Sequence, residues 1–153
     1  FPKTLQRAVD ESTGELVMFL ADDCIPEKDF LKLAVMDMVR NFPDLDGCVA
    51  LNDAHRGDEL PTHWLASKKL LPYLGGEFYH TGYWHCYGDN ELMDKCKAIG
   101  KYFYSKLAKV THENFNFGNG VADETAKSAY NQEKSEHDRK LYQERKSLTP
   151  TSV

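Results

Sequence analysis

The chain opens with a helical pattern that is followed by a run of strand character. Apolar side chains recur at helical spacing over residues 3–11, and Ser12-Thr13-Gly14 then ends the predicted helix. Residues 16–20 are uniformly apolar over a length typical of a strand buried inside a parallel sheet. This succession of helix and strand predicts an α/β fold.

The same two patterns continue along the chain. Pro26 and the acidic residues after it predict a helix that runs to Asn41, and residues 47–52 predict a second buried strand. Residues 53–61 are polar and predict a loop. Residues 62–74 predict a strand followed by a short helix.

The later part of the chain predicts two further helices and one more strand. A helix is expected over residues 90–99, ended by Gly100, and residues 102–110 alternate as a strand does. Residues 123–146 are rich in charged helix formers and predict a solvated C-terminal helix. We therefore expect one domain over residues 1–146, with a mixed, mostly parallel sheet flanked by helices, and a flexible tail over residues 147–153.

Two adjacent carboxylates stand directly after the first predicted strand. If that strand is parallel to its neighbours, Asp22 and Asp23 lie at the carboxyl edge of the sheet, where open α/β sheets bind ligands. Such neighbours repel each other unless a cation lies between them, and a hard divalent ion that also holds a diphosphate would satisfy both. Asp22 could instead cap the helix predicted near Pro26.

Composition excludes several classes of protein. The chain has 153 residues, a hydrophobic share of 41% and a net charge of −5, which fits a globular domain and argues against non-specific nucleic-acid binding. It has no apolar run of about 18 residues, the length expected of a transmembrane helix. Its four cysteines lack CxxC spacing, so we expect reduced thiols and a cytoplasmic location.

Residues 77–89 are dense in aromatic rings and histidines. Such a segment is either an irregular packed loop or a wall on which a sugar stacks, and composition alone does not separate the two. Within it, Trp84 and His85 are candidates for contact with an acceptor molecule.

Several short motifs, taken in order, resemble those of family 2 glycosyltransferases with the GT-A fold. Residues 13–23, with Ile25-Pro26 and Phe30-Leu31, resemble the acidic metal-binding strand end of that family. The later matches are Leu74-Gly75-Gly76-Glu77-Phe78, Gly88-Asp89-Asn90-Glu91-Leu92, Lys97-Ala98-Ile99-Gly100-Lys101 and Val110-Thr111-His112. Cys24 stands where the family often has a third acidic or amide residue, and Gly88 where it usually has Glu.

The resemblance implies a function and a set of site residues. It implies an inverting transfer of sugar from a nucleotide-diphosphate donor to an acceptor hydroxyl, assisted by Mn²⁺ or Mg²⁺. Asp23 and His112 would hold the metal, Asp22 and Asp23 would bind the donor's diphosphate through it, and Asp89 would be the catalytic base. Glu91 would contact the acceptor, although a solvated helix position is the alternative for it, and Asp89 could also cap the helix that follows.

The same resemblance implies a partial GT-A fold, because the chain begins in the helix after the first nucleotide-binding strands. A missing N-terminal segment, or a second copy of the chain, would then cover the exposed sheet edge.

Two other classes of function remain open from the sequence. One is a non-catalytic carbohydrate-binding or structural domain derived from the same fold. The other is a zinc-dependent hydrolase whose ligands come from Cys24, Cys86, His85 and His112.

Overall fold

The computed structural model describes residues 1–113 and 131–146, together with residues 118, 120, 124 and 128. Its helices are α1 (Pro2–Glu11), α2 (Phe30–Asn41), α3 (Leu71–Leu74), α4 (Gly88–Ala98) and α5 (Gln132–Lys146). Its strands are β1 (Leu16–Phe19), β2 (Cys24–Pro26), β3 (Cys48–Asn52), β4 (Trp64–Ser67) and β5 (Tyr102–His112). Short 3₁₀ turns span Gly57–Glu59 and Lys68–Leu70. The predicted tail, residues 147–153, lies outside the described residues.

The strands form one sheet in the order β1-β4-β3-β5-β2. Among the described strands, only β3 and β5 pair in parallel, whereas the pairs β1–β4, β4–β3 and β5–β2 are antiparallel. The predicted α/β class is confirmed, but the expectation of a mostly parallel sheet is wrong. An apolar run reports burial and not direction, so the sequence did not show that β4 inserts antiparallel between β1 and β3.

Strand β1 differs from the buried parallel strand that its apolar run predicts. Among the described strands it lies at the edge of the sheet and pairs only with β4, and all four of its residues are partly buried. The strand and short helix predicted over residues 62–74 are present as β4 and α3.

The second helix begins four residues later than predicted. Cys24–Pro26 forms the short strand β2, which pairs with the end of β5, and α2 starts only at Phe30. Pro26 is tolerated in this strand because β2 lies at the edge of the sheet, where a missing N–H costs no ladder hydrogen bond. Asp22 is therefore too far from α2 to cap it, and that interpretation is wrong.

Helices cover both faces of the sheet, and each face has its own apolar core. Alternate residues of a strand point to opposite faces, so Cys48 and Val49 of β3 belong to different cores. One core packs β4 and β3 against α1, α3 and α4. The other packs the strands against α2 through Ala34 and Met38.

Helix α5 is held by two buried carboxylates. Asp138 is fully buried and accepts hydrogen bonds from the backbone N–H groups of Trp84, His85 and Cys86 at 2.7–2.8 Å. On α4, Glu91 accepts two hydrogen bonds from the guanidinium of Arg145 at 2.8 and 2.7 Å. The aromatic segment before α4 is thus fastened to the C-terminal helix.

Among the described residues, no helix combines the length and apolar character needed to cross a bilayer. All four cysteines are free.

Candidate metal centre

One end of each of the five strands lies on the same side of the sheet, and the candidate site residues lie there. Because β1, β3 and β5 run in one direction and β2 and β4 in the other, the carboxyl ends of the first three lie beside the amino ends of the other two. Asp23 and Cys24 lie where β1 turns into β2, His63 directly precedes β4, and His112 ends β5. These four residues come together at this edge.

Asp23 and His112 are brought together by the pairing of β2 with β5. Cys24 lies opposite His112 in that ladder, and the backbone N–H of Glu113 donates to the carbonyl of Asp23 at 2.8 Å. The carboxylate Oδ2 of Asp23 lies 3.3 Å from Nε2 of His112. The expected proximity of these two side chains is confirmed.

An irregularity in β5 determines which face His112 occupies. Ala50 pairs with Tyr104 but Asn52 pairs with Lys109. An advance of two residues along β3 therefore corresponds to an advance of five residues along β5. The hydroxyl of Ser105 accepts a hydrogen bond from the backbone N–H of Ala108 across this bulge. Beyond it the strand alternates normally, which leaves His112 buried.

Cys24 and His63 are the other two members of this group of side chains. Sγ of Cys24 lies 2.9 Å from Nε2 of His63, and the two imidazoles meet edge to face with centroids 4.7 Å apart. The donor atoms of Asp23, Cys24, His63 and His112 all lie within 4.8 Å of one another. Nothing in the sequence motifs pointed to His63, because its role depends on the antiparallel direction of β4.

A second layer of polar contacts orients His63. The hydroxyl of Thr62 lies 2.7 Å from Oδ2 of Asp53 and 3.1 Å from Nδ1 of His63. If the hydroxyl donates to the carboxylate, it accepts from Nδ1–H, and the lone pair of Nε2 then faces Cys24. A carboxylate that fixes the tautomer of a histidine in this way is typical of metal ligands.

Burial keeps two of the donor groups, those of His63 and Cys24, neutral. Desolvation, together with the neighbouring His112, lowers the pKa of His63 to about 4. Desolvation and the charge of Asp23 raise the pKa of Cys24 to about 12. A neutral imidazole can bind a metal directly, whereas the thiol must first lose its proton.

The donor set fits a divalent transition metal better than Mg²⁺. Oδ1 of Asp23 is buried and accepts no hydrogen bond from the part of the chain that the structure describes, so it is available to a cation. Imidazole and thiolate ligands suit Zn²⁺ and other late first-row ions, whereas Mg²⁺ and Mn²⁺ prefer oxygen ligands. Asp22 is exposed on the same turn and is not a member of the group.

The cysteine and histidine set considered for a zinc hydrolase does not assemble as predicted. His85 and Cys86 are not in the four-residue group, and their backbone N–H groups bind Asp138 on α5. The ring of His85 lies 6.0 Å from that of Phe1.

Asp89 lies in the first turn of α4 and not at its cap, which is Tyr87. Its Oδ1 accepts a hydrogen bond from the backbone N–H of Asn90, yet desolvation raises its pKa to about 6. Tyr79 packs against this turn and against Phe19, and Phe19 stacks on His63 with centroids 6.1 Å apart. Tyr79 thus borders the turn of Asp89, and Phe19, which contacts Tyr79, borders the four-residue group.

The other predicted contacts with an acceptor have distinct environments. Trp84 is 45% exposed, and its ring stacks on His137 at 4.1 Å. Glu91 is buried and binds Tyr83, Lys95 and Arg145, so a solvated position for it is wrong. These contacts lower its pKa to about 2 against the opposing effect of burial.

Comparisons with protein-family models, with curated proteins and with solved structures found no match to this chain.

Proposed function

We propose that this chain is a GT-A glycosyltransferase domain, which transfers a sugar with inversion from a nucleotide-diphosphate donor to an acceptor hydroxyl. The observation that supports it most is the 3.3 Å approach of Asp23 and His112, the two residues that the motif resemblance nominates as metal ligands. They come from distant parts of the chain and meet at the sheet edge where α/β proteins bind ligands.

The metal's contribution follows from the charge of the leaving group. A bound divalent cation, Mn²⁺ or Mg²⁺ by the resemblance, would neutralise the charge that develops on the departing diphosphate. Asp23 and His112 would hold the ion, and the exposed Asp22 on the same turn would help to orient the donor.

Asp89 would take the proton from the attacking hydroxyl. A base works best when its pKa lies near the pH of the reaction, and desolvation moves the pKa of Asp89 upward to about 6. Asp89 lies beside Tyr79, which contacts Phe19 next to His63. The acceptor would therefore approach Asp89 past these two aromatic side chains. The exposed ring of Trp84, with His85 beside it, would offer a stacking surface to the acceptor.

Metal-dependent nucleotide binding tests this proposal. Titration calorimetry with uridine diphosphate should show binding in the presence of Mn²⁺ and loss of binding after chelation. Asp23→Ala should weaken that binding by at least the roughly 10- to 100-fold typical of a damaged metal site, because it removes the carboxylate ligand.

Asp10→Ala, which removes an exposed carboxylate on α1, is the matched control and should bind as the unaltered chain does. A folded chain that binds no nucleotide with any divalent metal would contradict the proposal and favour a non-catalytic domain of the same fold.

A further inference from the structure

The four-residue group contains two donors that the glycosyltransferase resemblance does not use. We propose that Cys24 and His63 bind the ion directly together with Asp23 and His112, and that the centre selects Zn²⁺ over Mn²⁺ and Mg²⁺. This inference rests on the geometry of the four-residue group and not on the proposed function, because an ion held by all four side chains could bind a donor diphosphate only as a fifth ligand.

The distances allow a tetrahedral zinc shell after a small adjustment. With Zn–S and Zn–N bonds of about 2.3 and 2.0 Å, a tetrahedral ion holds sulfur and nitrogen about 3.5 Å apart. Sγ of Cys24 and Nε2 of His63 lie 2.9 Å apart, so they would separate by about half an ångström. The largest separation in the group is no more than 4.8 Å, so the remaining donors would move inward by at most about 1.5 Å.

The chemistry of the donors favours zinc. A thiolate and two imidazoles are borderline or soft ligands, which Zn²⁺ accepts, whereas Mg²⁺ and Mn²⁺ prefer oxygen. Binding breaks the S–H bond of Cys24, forms a Zn–S bond and releases one proton to the buffer. The side chain of Cys24 is only partly buried, so this proton can reach solvent.

The surroundings of His63 are organised for ligation. Asp53 is buried and is held by the backbone N–H groups of His55 and Arg56 at 2.9 and 2.8 Å, which leaves its Oδ2 for Thr62. Thr62 in turn contacts Nδ1 of His63, so Nε2 is the nitrogen presented to the group. An ordered chain of carboxylate, hydroxyl and imidazole would raise the affinity of the site.

A pair of variants at Thr62 isolates this second layer without removing a ligand. Thr62→Val has a similar shape but lacks the hydroxyl, and we expect zinc affinity to fall about 10- to 100-fold. Thr62→Ser keeps the hydroxyl and should retain most of the affinity. Equal affinities in the two variants would show that the hydroxyl does not orient a ligand.

The decisive experiment compares Cys24→Ser with Cys86→Ser in the full chain. Zinc affinity, measured by competition with a chelating dye, should fall in Cys24→Ser by more than the roughly 10- to 100-fold of an outer-layer change, and should be unchanged in Cys86→Ser. With Co²⁺ as the probe, the unaltered chain and Cys86→Ser should show a thiolate-to-metal absorption band in the near ultraviolet, which Cys24→Ser should lack. Circular dichroism verifies that both variants are folded.

Three results would overturn the zinc proposal. They are a higher affinity of the unaltered chain for Mn²⁺ than for Zn²⁺, an absent thiolate band, or a band lost in Cys86→Ser and kept in Cys24→Ser. Failure of the proposed function is separable: tight zinc binding without nucleotide binding would contradict glycosyl transfer alone, and Mn²⁺-dependent nucleotide binding without a thiolate band would contradict zinc selection alone.

Discussion

Asp89→Asn should lower the rate of glycosyl transfer by about 10²- to 10⁴-fold while leaving nucleotide binding nearly unchanged. The base is needed only as the acceptor proton moves, so its loss affects the transition state more than the bound donor. Asparagine keeps the shape of the side chain and can still accept the hydrogen bond from the N–H of Asn90. The measurements are kcat from a transfer assay and the Kd of uridine diphosphate from calorimetry.

The pH dependence gives this prediction a second, independent part. The pKa of Asp89 is raised to about 6 by desolvation, so the folded protein holds this proton more tightly than the unfolded chain does. Ionisation of Asp89 therefore lowers the stability of the fold as the pH rises from 3.8, the ordinary pKa of an aspartate, through about 6. At neutral pH, Asp89→Asn should keep or raise the thermal midpoint, while kcat of the unaltered chain should fall below about pH 6.

Asp94→Asn on the same helix is the matched control, since it conserves the acceptor for the hydroxyl of Tyr142. It should leave kcat within a few-fold of the unaltered value. A loss of nucleotide binding in Asp89→Asn equal to its loss of kcat would contradict the assignment of Asp89 as the base.

Asp138→Ala should produce the largest change in stability. Three partly buried backbone N–H groups, those of Trp84, His85 and Cys86, would lose their acceptor at once. Each unsatisfied buried donor costs about 1–3 kcal/mol, so the free energy of unfolding should fall by about 3 kcal/mol or more, unless α5 detaches and lets water in. A lower free energy of unfolding and a local detachment of α5 would both follow from the loss of this carboxylate. Hydrogen exchange at residues 84–86 distinguishes them.

Acid should have the same effect on α5 as this substitution. Burial alone would raise the pKa of Asp138, but hydrogen bonds from the three N–H groups and from His137 hold it below its ordinary value. A depressed pKa means that the stabilisation is complete above the ordinary value of 3.8 and is lost as the pH falls through the folded-state value.

The exposed Glu136 on α5 offers the control, because Glu136→Ala removes a carboxylate from the same helix without leaving a buried donor unpaired. Exchange at residues 84–86 that is equally slow in Asp138→Ala and in the unaltered chain would contradict the anchoring role.

The part of the site that could be predicted came from residues at the ends of apolar runs. Asp23 follows the run of β1 and His112 ends the alternation of β5, and the two meet at one edge because β1 and β5 run in the same direction, as the sequence prediction assumed. His63 could not be found in this way. It precedes β4, so it reaches the same edge only because β4 runs antiparallel to its neighbours.

The errors in the predicted fold have a common physical origin. Burial patterns say which residues avoid water, but direction and strand order depend on long-range pairing that a local pattern does not encode. Pro26 shows the problem most clearly, since a proline followed by acids is also the pattern of a helix start. The ladder between Cys24–Pro26 and β5 outweighs that local preference and delays α2 to Phe30.

The alternation of β5 was likewise predicted without its bulge. Uninterrupted alternation puts Ala108 and Ser105 on opposite faces, whereas in the structure both are buried. Between its pairings with Ala50 and Asn52, β5 contains three more residues than β3 does. This odd number of extra residues changes the face of the sheet on which the last residues of β5 lie. The bulge is therefore part of what directs His112 toward Asp23.

The central claim is that four side chains from the turn after β1, the start of β4 and the end of β5 form one metal centre. X-ray diffraction at the zinc absorption edge, from crystals grown with Zn²⁺, tests it most directly. The account predicts an anomalous peak at bonding distance from the carboxylate of Asp23, the sulfur of Cys24 and the imidazoles of His63 and His112. A peak at other residues, with none among these four, would contradict it.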